Sequence, residues 1–309
     1  MRLLTRPDLD GLACGALLKS LGLIESWSFA HPKDMQDGLV EVGNNDIICN
    51  LPYAEGCKMW FDHHSSEVER IGSVKPEGLY RQAPSAARLV YEYFGGEDKL
   101  GKYAEMLKYV DKVDSADLTR EEIENPQGWV LLGFITDPRT GMGRFRDFRI
   151  GNFDFMGMLM QSLTEHSLEE ILKLPDVVER IEMYDKQNEL FRSMITQHTK
   201  QKANVIVTDL RGVKTIHTGN RFLVYGLFPE ASVSLWVVDG HMGQVSIAVG
   251  HSILNRTSSV DIGSLMLKYG GGGHKQVGTC QVPSSEADDI ISQIVTHLVS
   301  SPENSIPEK

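Results

Sequence analysis

Trp60-Phe61-Asp62-His63-His64 is the stretch that decides the fold, because it places a carboxylate and two imidazoles directly after an apolar run. Successive side chains of an extended strand point to opposite faces, so Asp62 and His64 would share one face and His63 would lie on the other. A turn after the strand would bring all three groups together. Taken alone, these residues are also compatible with a solvated histidine pair in a loop.

Two carboxylates near the amino terminus follow a second strand-like run. Leu3-Leu4-Thr5 is apolar at its start, and Asp8 and Asp10 precede Gly11 and a helical pattern of apolar residues. Carboxylates at the carboxyl end of a strand in an open α/β sheet lie where ligands usually bind. Their spacing lets the two side chains reach different sides of one cation. Asp8 can instead cap the helix, which is common for Asp before such a pattern.

A third motif is the run of four glycines at positions 270–273, followed by His274 and Lys275. Glycines let backbone N–H groups approach an anion closely, while the histidine and lysine add donors or charge. A run of this kind is by itself more typical of a flexible turn.

Together the three motifs resemble those of the DHH phosphoesterase superfamily, in the subgroup that carries the DHH-associated C-terminal domain. The resemblance extends over nearly the whole chain. It implies an α/β fold with a mainly parallel sheet and flanking helices, then a helical linker and a smaller α/β domain with a mixed sheet. The implied ranges are 1–175 for the DHH domain, 176–202 for the linker, 203–300 for the substrate-binding domain and 301–309 for a disordered tail. Within 203–300 the residue pattern predicts strands at 222–228, 232–238 and 244–249.

The resemblance also implies roles for individual residues. The implied metal ligands are Asp8, Asp10, Asn50, His63 and Asp114, with Asp111 and Asp137 as alternatives to Asp114. The implied catalytic residues are His64, which would contact the scissile phosphate, and Asp62, which would orient an imidazole. The implied substrate-binding residues are Arg6, Arg256, Gly271, Gly272, Gly273 and His274.

Two positions depart from the family's pattern. Family members usually carry a metal-binding histidine two or four residues before the first aspartate, where this chain has Arg6 and Leu4. Asn50 stands where the family has a bridging aspartate, and an amide oxygen carries no charge. These departures predict that the first metal position is weak or empty. We hypothesise that the charge of Arg6 takes the place of that cation.

The function that the resemblance implies is hydrolysis of a phosphoric ester with the help of Mn²⁺, as one or two ions, or of Mg²⁺. The substrates would be short linear oligoribonucleotides or dinucleotides such as pGpG or pApA, cut to mononucleotides in the cleft between two domains. The alternatives are an exopolyphosphatase or pyrophosphatase-like hydrolase, and a catalytically weakened nucleotide-binding protein.

The charge of the chain limits its partners. Its 309 residues include 42 acidic and 31 basic side chains, which give a formal net charge of −11. Non-specific binding of long nucleic acid depends on neutralising many phosphates, so such a partner is not expected. Residues 138–150 hold the densest positive cluster, which fits either a solvated basic loop or a group of arginines that grips substrate phosphates.

We expect a cytoplasmic protein without a membrane partner. The amino terminus lacks the apolar core of a signal peptide, and no run approaches the ~20 apolar residues of a membrane span. A homodimer is a further expectation that no motif tests.

Overall fold

The computed structural model describes residues 1–64, 67 and 70–300. The chain forms two compact units, one of Met1–Asp117 with Pro126–Asp185 and the other of Leu118–Asn125 with Lys186–Lys309. The division falls within one long helix, and the expected domain ranges 1–175, 176–202 and 203–300 stay predictions. The expected tail at 301–309 lies outside the described residues.

The first unit contains a five-stranded sheet in which every pairing is parallel. Its strands are β1 (Arg2–Thr5), β2 (Ser26–Phe29), β3 (Asp46–Cys49), β4 (Met59–Asp62) and β5 (Gly78–Tyr80). They lie in the order β2-β1-β3-β4-β5. The predicted parallel α/β fold of this part of the chain is therefore confirmed.

Both faces of this sheet are buried, as a parallel sheet requires. Fully buried side chains alternate between the two faces along the three central strands β1, β3 and β4. Leu4, Ile48 and Trp60 lie on one face, and Leu3, Ile47 and Phe61 lie on the other. Helices and loops must therefore cover both faces, and the carboxyl ends of the strands remain as the edge where polar side chains can gather.

The strand order also predicts where a ligand binds. The chain leaves β1 toward β2 on one side and later returns to β3 on the other side of β1. Such a reversal opens a crevice beyond the carboxyl ends of the two strands. Asp8 follows β1 and Asn50 follows β3, so both residues lie at this position.

The helices of the first unit are α1 (Leu9–Ser20), α2 (Pro32–Gln36), α3 (Ala86–Tyr93), α4 (Gly96–Leu100), α5 (Ala104–Asp114), α7 (Gly128–Thr136), α8 (Asn152–Glu165) and α9 (Leu168–Ile171). The short α6 (Arg120–Glu124) belongs to the second unit, and α10 (Pro175–His198) is divided between the units. Within the described parts of the chain, no helix is long and apolar enough to cross a membrane.

The second unit contains a six-stranded mixed sheet in the order β10-β11-β9-β8-β7-β6. Its strands are β6 (Thr199–Lys202), β7 (Val205–Asp209), β8 (Val233–Asp239), β9 (Gln244–His251), β10 (Gly272–His274) and β11 (Val277–Pro283). Only β7 and β8 pair in parallel among these strands. The mixed sheet was predicted, but the predicted helical linker ends at His198 and residues 199–202 form β6.

Helices α11 (Leu223–Leu227), α12 (Ile262–Leu267) and α13 (Ala287–Ser300) complete the second unit. Ile262 and Met266 of α12 and Ile294 and Leu298 of α13 are buried in one cluster with the sheet. The prediction of a strand at 222–228 was wrong, because Leu223–Leu227 form α11 and the residues on either side are its caps. A short apolar run has no periodicity that separates a buried strand from a buried helix.

Two glycines of α1 face different neighbours, so substituting each one tests how closely the helix packs against the turn before it and against α8. A Cβ at Gly11 would lie 2.1 Å from the backbone oxygen of Arg6, whereas one at Gly15 would meet the flexible side chain of Met160. We expect Gly11→Ala to lower the free energy of unfolding by ~1–3 kcal/mol, because backbone must move.

Gly15→Ala is the matched control, since the ~1 kcal/mol gain in helix propensity offsets part of the repacking of Met160. Thermal unfolding of both variants should give the lower midpoint for Gly11→Ala. Equal midpoints would show that the turn before α1 is not tightly constrained.

Candidate metal centre and active site

The candidate site lies where three neighbouring parallel strands end. Asp8 and Asp10 follow β1, Asn50 follows β3, and β4 ends in Asp62 and continues into His63. Because the carboxyl ends of parallel strands meet at one edge of the sheet, these side chains converge although the motifs are far apart in sequence.

Asp10 is almost fully buried, at 2% exposure, and is held by the amino terminus of α3. The backbone N–H groups of Ala86 and Ala87 donate to its two carboxylate oxygens at 2.9 and 2.8 Å. Burial raises the pKa of Asp10 well above its usual value, and the charges of Asp114 and Asp8 add to the rise, against the two N–H donors. A nearby cation would offset this cost of keeping the carboxylate charged.

His63 joins Asp10 to Asp114. Its Nε2 lies 3.2 Å from Oδ2 of Asp114 and 3.8 Å from Oδ2 of Asp10. Its Nδ1 lies 3.1 Å from the backbone oxygen of Ala83, which can only accept a hydrogen bond. In the neutral form of the ring the proton is therefore on Nδ1 and the Nε2 lone pair faces the carboxylates, as in a histidine that binds a metal, whereas the charged form directs an Nε2–H at Asp114.

The donor set fits a divalent cation. Ligand atoms of Asp10, His63 and Asp114 all lie within 4.8 Å of one another. Among the described residues, Nε2 of His63, Oδ1 of Asn50 and Oδ2 of Asp62 are buried and form no hydrogen bond, although Nε2 of His63 is 3.2 Å from Oδ2 of Asp114. Buried polar atoms are normally satisfied, so unpartnered atoms at this cluster are what a missing ligand would leave.

The structure distinguishes the three candidates for the last acidic ligand. Asp114 ends α5 next to His63, and burial raises its pKa while the charge of His63 opposes the rise. Asp111 accepts a 2.6 Å hydrogen bond from Ser85 Oγ and pairs with Arg88. Asp137 accepts a 2.9 Å bond from Nε of Arg139. Only Asp114 of the three belongs to the cluster with Asp10 and His63.

Asp8 is occupied by donors of the chain itself. Its Oδ1 accepts 3.0 Å hydrogen bonds from the Gly11 N–H and from Nδ2 of Asn50. Nε of Arg6 lies 3.2 Å from its Oδ2. The bond from Gly11 confirms that Asp8 is the N-cap of α1. Asp8 stands outside the 4.8 Å group, and its role as a metal ligand stays a prediction.

Asn50 has a backbone conformation that suits this contact. Its φ of 55° is in the left-handed region, which Asn adopts more readily than most residues. The side chain is 1% exposed and directs its amide at Asp8. The amide donates a hydrogen bond to Asp8, whereas a carboxylate at this position would repel it. The charge of Asp8 is balanced by Arg6 alone of these two residues.

Asp62 orients His64. The fully buried Asp62 accepts hydrogen bonds at Oδ1 from the His63 N–H at 2.9 Å and from Nδ1 of His64 at 2.7 Å. Burial lowers the pKa of His64, but the hydrogen bond and charge of Asp62 outweigh it and raise the pKa above its usual value. His64 is partly exposed, so it can carry a proton at the surface of the site.

Sequence reasoning missed the two backbone donors of α3, Ala86 and Ala87, since every non-proline residue has an N–H group. It assigned no specific role to Arg139. Asp137 holds that guanidinium, and the charge of Arg139 acts on Asp114 and Asp8. The density of arginines in 138–150 was the signal that pointed to this segment.

The remaining candidates lie in the second unit. Arg256 and His274 are exposed, and Nε of Arg256 donates to the backbone oxygen of Ile253. The glycine run is not a free loop, because Gly272–His274 form β10. Cβ atoms at Gly271 and Gly273 would lie 2.0 and 2.2 Å from backbone oxygens of β11. Close strand pairing thus requires these glycines, and their role in substrate binding stays a prediction.

Comparison with solved structures identifies the family. A pGpG-specific phosphodiesterase, PggH from Vibrio cholerae, is 43% identical with a TM-score of 0.87, and the match covers 97% of this chain and 99% of that one. The DHH domain of a protein described as a member of the s1p family of ribosomal proteins is 12% identical, with a TM-score of 0.57 and coverage of 97% and 86%.

The exonuclease RecJ, in a structure with bound manganese, is 14% identical with a TM-score of 0.52, covering 98% of this chain and 91% of that one. No protein-family model matches the chain, and no curated protein matches its sequence.

These likenesses and the site define a hydrolase with an Asp-His-His motif at the end of a central parallel strand. The chain belongs to the DHH phosphoesterase superfamily.

The Asp62–His64 hydrogen bond gives a direct test of the site's electrostatics. Asp62→Asn removes the charge that raises the pKa of His64, so that pKa should fall. NMR titration of the ring in metal-free protein measures the shift. His251, whose pKa burial lowers in the second unit, is the internal reference and should not move. An unchanged pKa of His64 would mean that Asp62 does not control it.

Proposed function

We propose that the protein hydrolyses a short linear dinucleotide, with pGpG as the first candidate, to mononucleotides. The observation that carries this proposal is the 43% identity to a pGpG-specific phosphodiesterase over 97% of this chain and 99% of that one. The converging acidic and imidazole groups at the strand ends support it, because they suit chemistry on a phosphoester.

We propose that Asp10, His63 and Asp114 hold a divalent cation. Their donor atoms are two carboxylates and an imidazole, which suit Mn²⁺ and, less well at the imidazole, Mg²⁺. When bound, such an ion lowers the pKa of a water and polarises a phosphoryl oxygen. Each oxygen of Asp10 keeps a lone pair beyond the one that accepts from Ala86 or Ala87, so both N–H bonds can persist.

His64 is the proposed proton donor. Asp62 fixes its Nδ1 at 2.7 Å and raises its pKa, which keeps a larger fraction of the ring protonated near neutral pH. The opposite nitrogen, Nε2, is then the atom that donates to a phosphoryl or leaving-group oxygen. Asp62 acts by orienting and charging this ring, not by contact with substrate.

Arg6 is the proposed contact for a substrate phosphate. It is part of the turn after β1 and pairs with Asp8 at 3.2 Å, beside the cluster of Asp10, His63 and Asp114. A guanidinium can bind a phosphate through two parallel hydrogen bonds. We therefore propose that the charge of Arg6 and the hydrogen bond from Asn50 stabilise Asp8 in place of a second cation, and that one ion binds per chain.

Arg256, Gly271, Gly272, Gly273 and His274 are proposed to bind substrate from the second unit. The cytoplasmic location, the homodimer and the preference for Mn²⁺ over Mg²⁺ are likewise proposals. The engagement of Asp8 by Arg6 and Asn50 favours one alternative, a nucleotide-binding protein with weakened catalysis.

Product analysis separates these functions. Purified protein with Mn²⁺ should convert pGpG to GMP, and His63→Ala should reduce the rate by about 100-fold or more, because it removes a metal ligand. His166→Ala is the control, since His166 is exposed at the end of α8. Ion-pair chromatography of pGpG, pApA, cyclic dinucleotide and polyphosphate reactions measures the products.

Release of phosphate from polyphosphate without cleavage of any dinucleotide would overturn the proposal in favour of an exopolyphosphatase. Tight binding of pGpG without any product would instead establish the nucleotide-binding alternative.

Titration with Mn²⁺ tests the number of ions. Isothermal titration calorimetry should give one site per chain, and Asp114→Asn should weaken it because a charged ligand is lost. The double variant Arg6→His with Asn50→Asp should gain a second site. Two sites in the unaltered protein, or no second site in the double variant, would contradict the proposed role of Arg6 and Asn50.

A further inference from the structure

A cavity of about 250 Å³ lies within the first unit and is not used by the proposed chemistry. Its lining combines apolar residues with polar ones, among them Pro7, Met142, Phe153, Asp137, Arg144 and Asn152. An apolar cavity with a few polar groups is the usual form of a small-molecule site.

The cavity adjoins the candidate metal ligands. Pro7 immediately precedes Asp8 in the turn after β1. Asp137 accepts hydrogen bonds from the N–H and Nε of Arg139 at 2.8 and 2.9 Å, and the charge of Arg139 acts on Asp114 and Asp8. Pro7 of the cavity lining and the candidate ligand Asp8 are thus consecutive residues of one turn.

Two glycines make room for the polar groups of the lining. A Cβ at Gly141, where φ is 90°, would lie 2.6 Å from Nη2 of Arg144. One at Gly143 would lie 3.5 Å from the side-chain amide of Asn152. The guanidinium thus lies over Gly141, in space that any side chain there would take.

Phe153 adds an aromatic surface to the lining. It is 63% exposed, which is unusual for so large an apolar side chain. Its ring stacks on Phe29 with centroids 5.9 Å apart and an interplanar angle of 28°. The second ring supports the first, and the exposed face resembles the aromatic surfaces on which nucleobases stack.

A buried arginine fixes the segment that forms one wall. Arg180 of α10 is 1% exposed and donates to the backbone oxygens of Ile150 and Asp176 at 2.9 and 3.1 Å. Its guanidinium lies 4.4 Å from the ring of Phe148 and 3.7 Å from that of Phe155. The end of the segment that carries Arg144 is thereby anchored, and an anchored wall reduces the entropy lost on binding.

We propose that this cavity binds one guanine base of the substrate, an inference that rests on the proposed dinucleotide hydrolysis. Its volume suits a single base better than a dinucleotide. Arg144 would donate to O6 and N7 of guanine, the pairing that arginine makes most often with a base. The amide of Asn152 would accept from the Watson–Crick edge, and Phe153 would cover a face of the base.

The same groups discriminate against adenine. Adenine has an amino group where guanine has O6, so Arg144 would face a donor and lose one of its two hydrogen bonds. A good bidentate contact of this kind gives roughly a 10- to 100-fold preference for the matching base.

Binding of GMP and AMP to the Mn²⁺-loaded protein, measured by calorimetry, tests this site without requiring turnover. The unaltered protein should prefer GMP by about 10- to 100-fold. Arg144→Ala should bring the ratio of the two dissociation constants close to 1, and Arg144→Lys should restore only part of it, because an ammonium lacks the planar pair of donors. Phe153→Ala should weaken both ligands and keep the ratio.

Arg146→Ala is the matched control, because it removes an equal charge two residues away, outside the cavity lining, and should keep the ratio. 7-Deaza-GMP, which lacks N7, should bind the unaltered protein more weakly than GMP but bind Arg144→Ala equally well.

Equal affinity for GMP and AMP in the unaltered protein, or a preference that persists in both Arg144→Ala and Asn152→Ala, would overturn the proposed base site. A separate pGpG hydrolysis assay distinguishes the two proposals. Guanine preference that depends on Arg144, found without hydrolysis, supports the base site and refutes only the proposed reaction. Hydrolysis with an unchanged preference in the variants refutes only the base site.

Discussion

The site depends on the burial of Asp10 among other acidic groups. Its carboxylate is 2% exposed, and the charges of Asp114 and Asp8 raise its pKa further. Two backbone N–H groups at the start of α3 hold it in place but do not supply a full positive charge. His63 lies beside Asp10 at 3.8 Å, and the negative charge of Asp8 is balanced by Arg6 and further stabilised by a hydrogen bond from Asn50.

The division of these groups gives the site two distinct halves. Asp10, His63 and Asp114 form a compact set with an unpartnered ring nitrogen, which suits a cation. Asp8 instead has partners from the chain for both oxygens. The half that would hold a second ion in a more acidic site is thus already neutral in this protein.

Much of this was predictable from the sequence, because parallel strands carry their functional residues at one end. Motifs after β1 and β4 could be recognised locally, and the sheet brings them together. Asp114 was the predicted ligand, but the sequence could not exclude Asp111 and Asp137, since the choice depends on where α5 ends relative to His63. The contacts of Ala86 and Ala87 with Asp10 could not be predicted from the sequence, because they are made by backbone N–H groups and not by the side chains.

Two segments of the second unit could also not be predicted from the sequence. The glycine run predicts an anion-binding turn, and its sequence does not reveal that Gly271 and Gly273 approach the backbone of β11 too closely for a side chain. The apolar run at 222–228 was interpreted as a strand, although it forms a helix buried on most sides. Composition does not separate a glycine-rich turn from a closely paired glycine strand, or a short buried strand from a short buried helix, because the same residue types occur in both.

Anomalous X-ray diffraction at the manganese edge, from crystals grown with Mn²⁺, tests the central claim most directly. One anomalous peak within bonding distance of Asp10, His63 and Asp114, with Arg6 still paired to Asp8, is the predicted result. A second peak between Asp8 and Asn50, or a single peak away from His63, would contradict the assignment of one ion to these three residues.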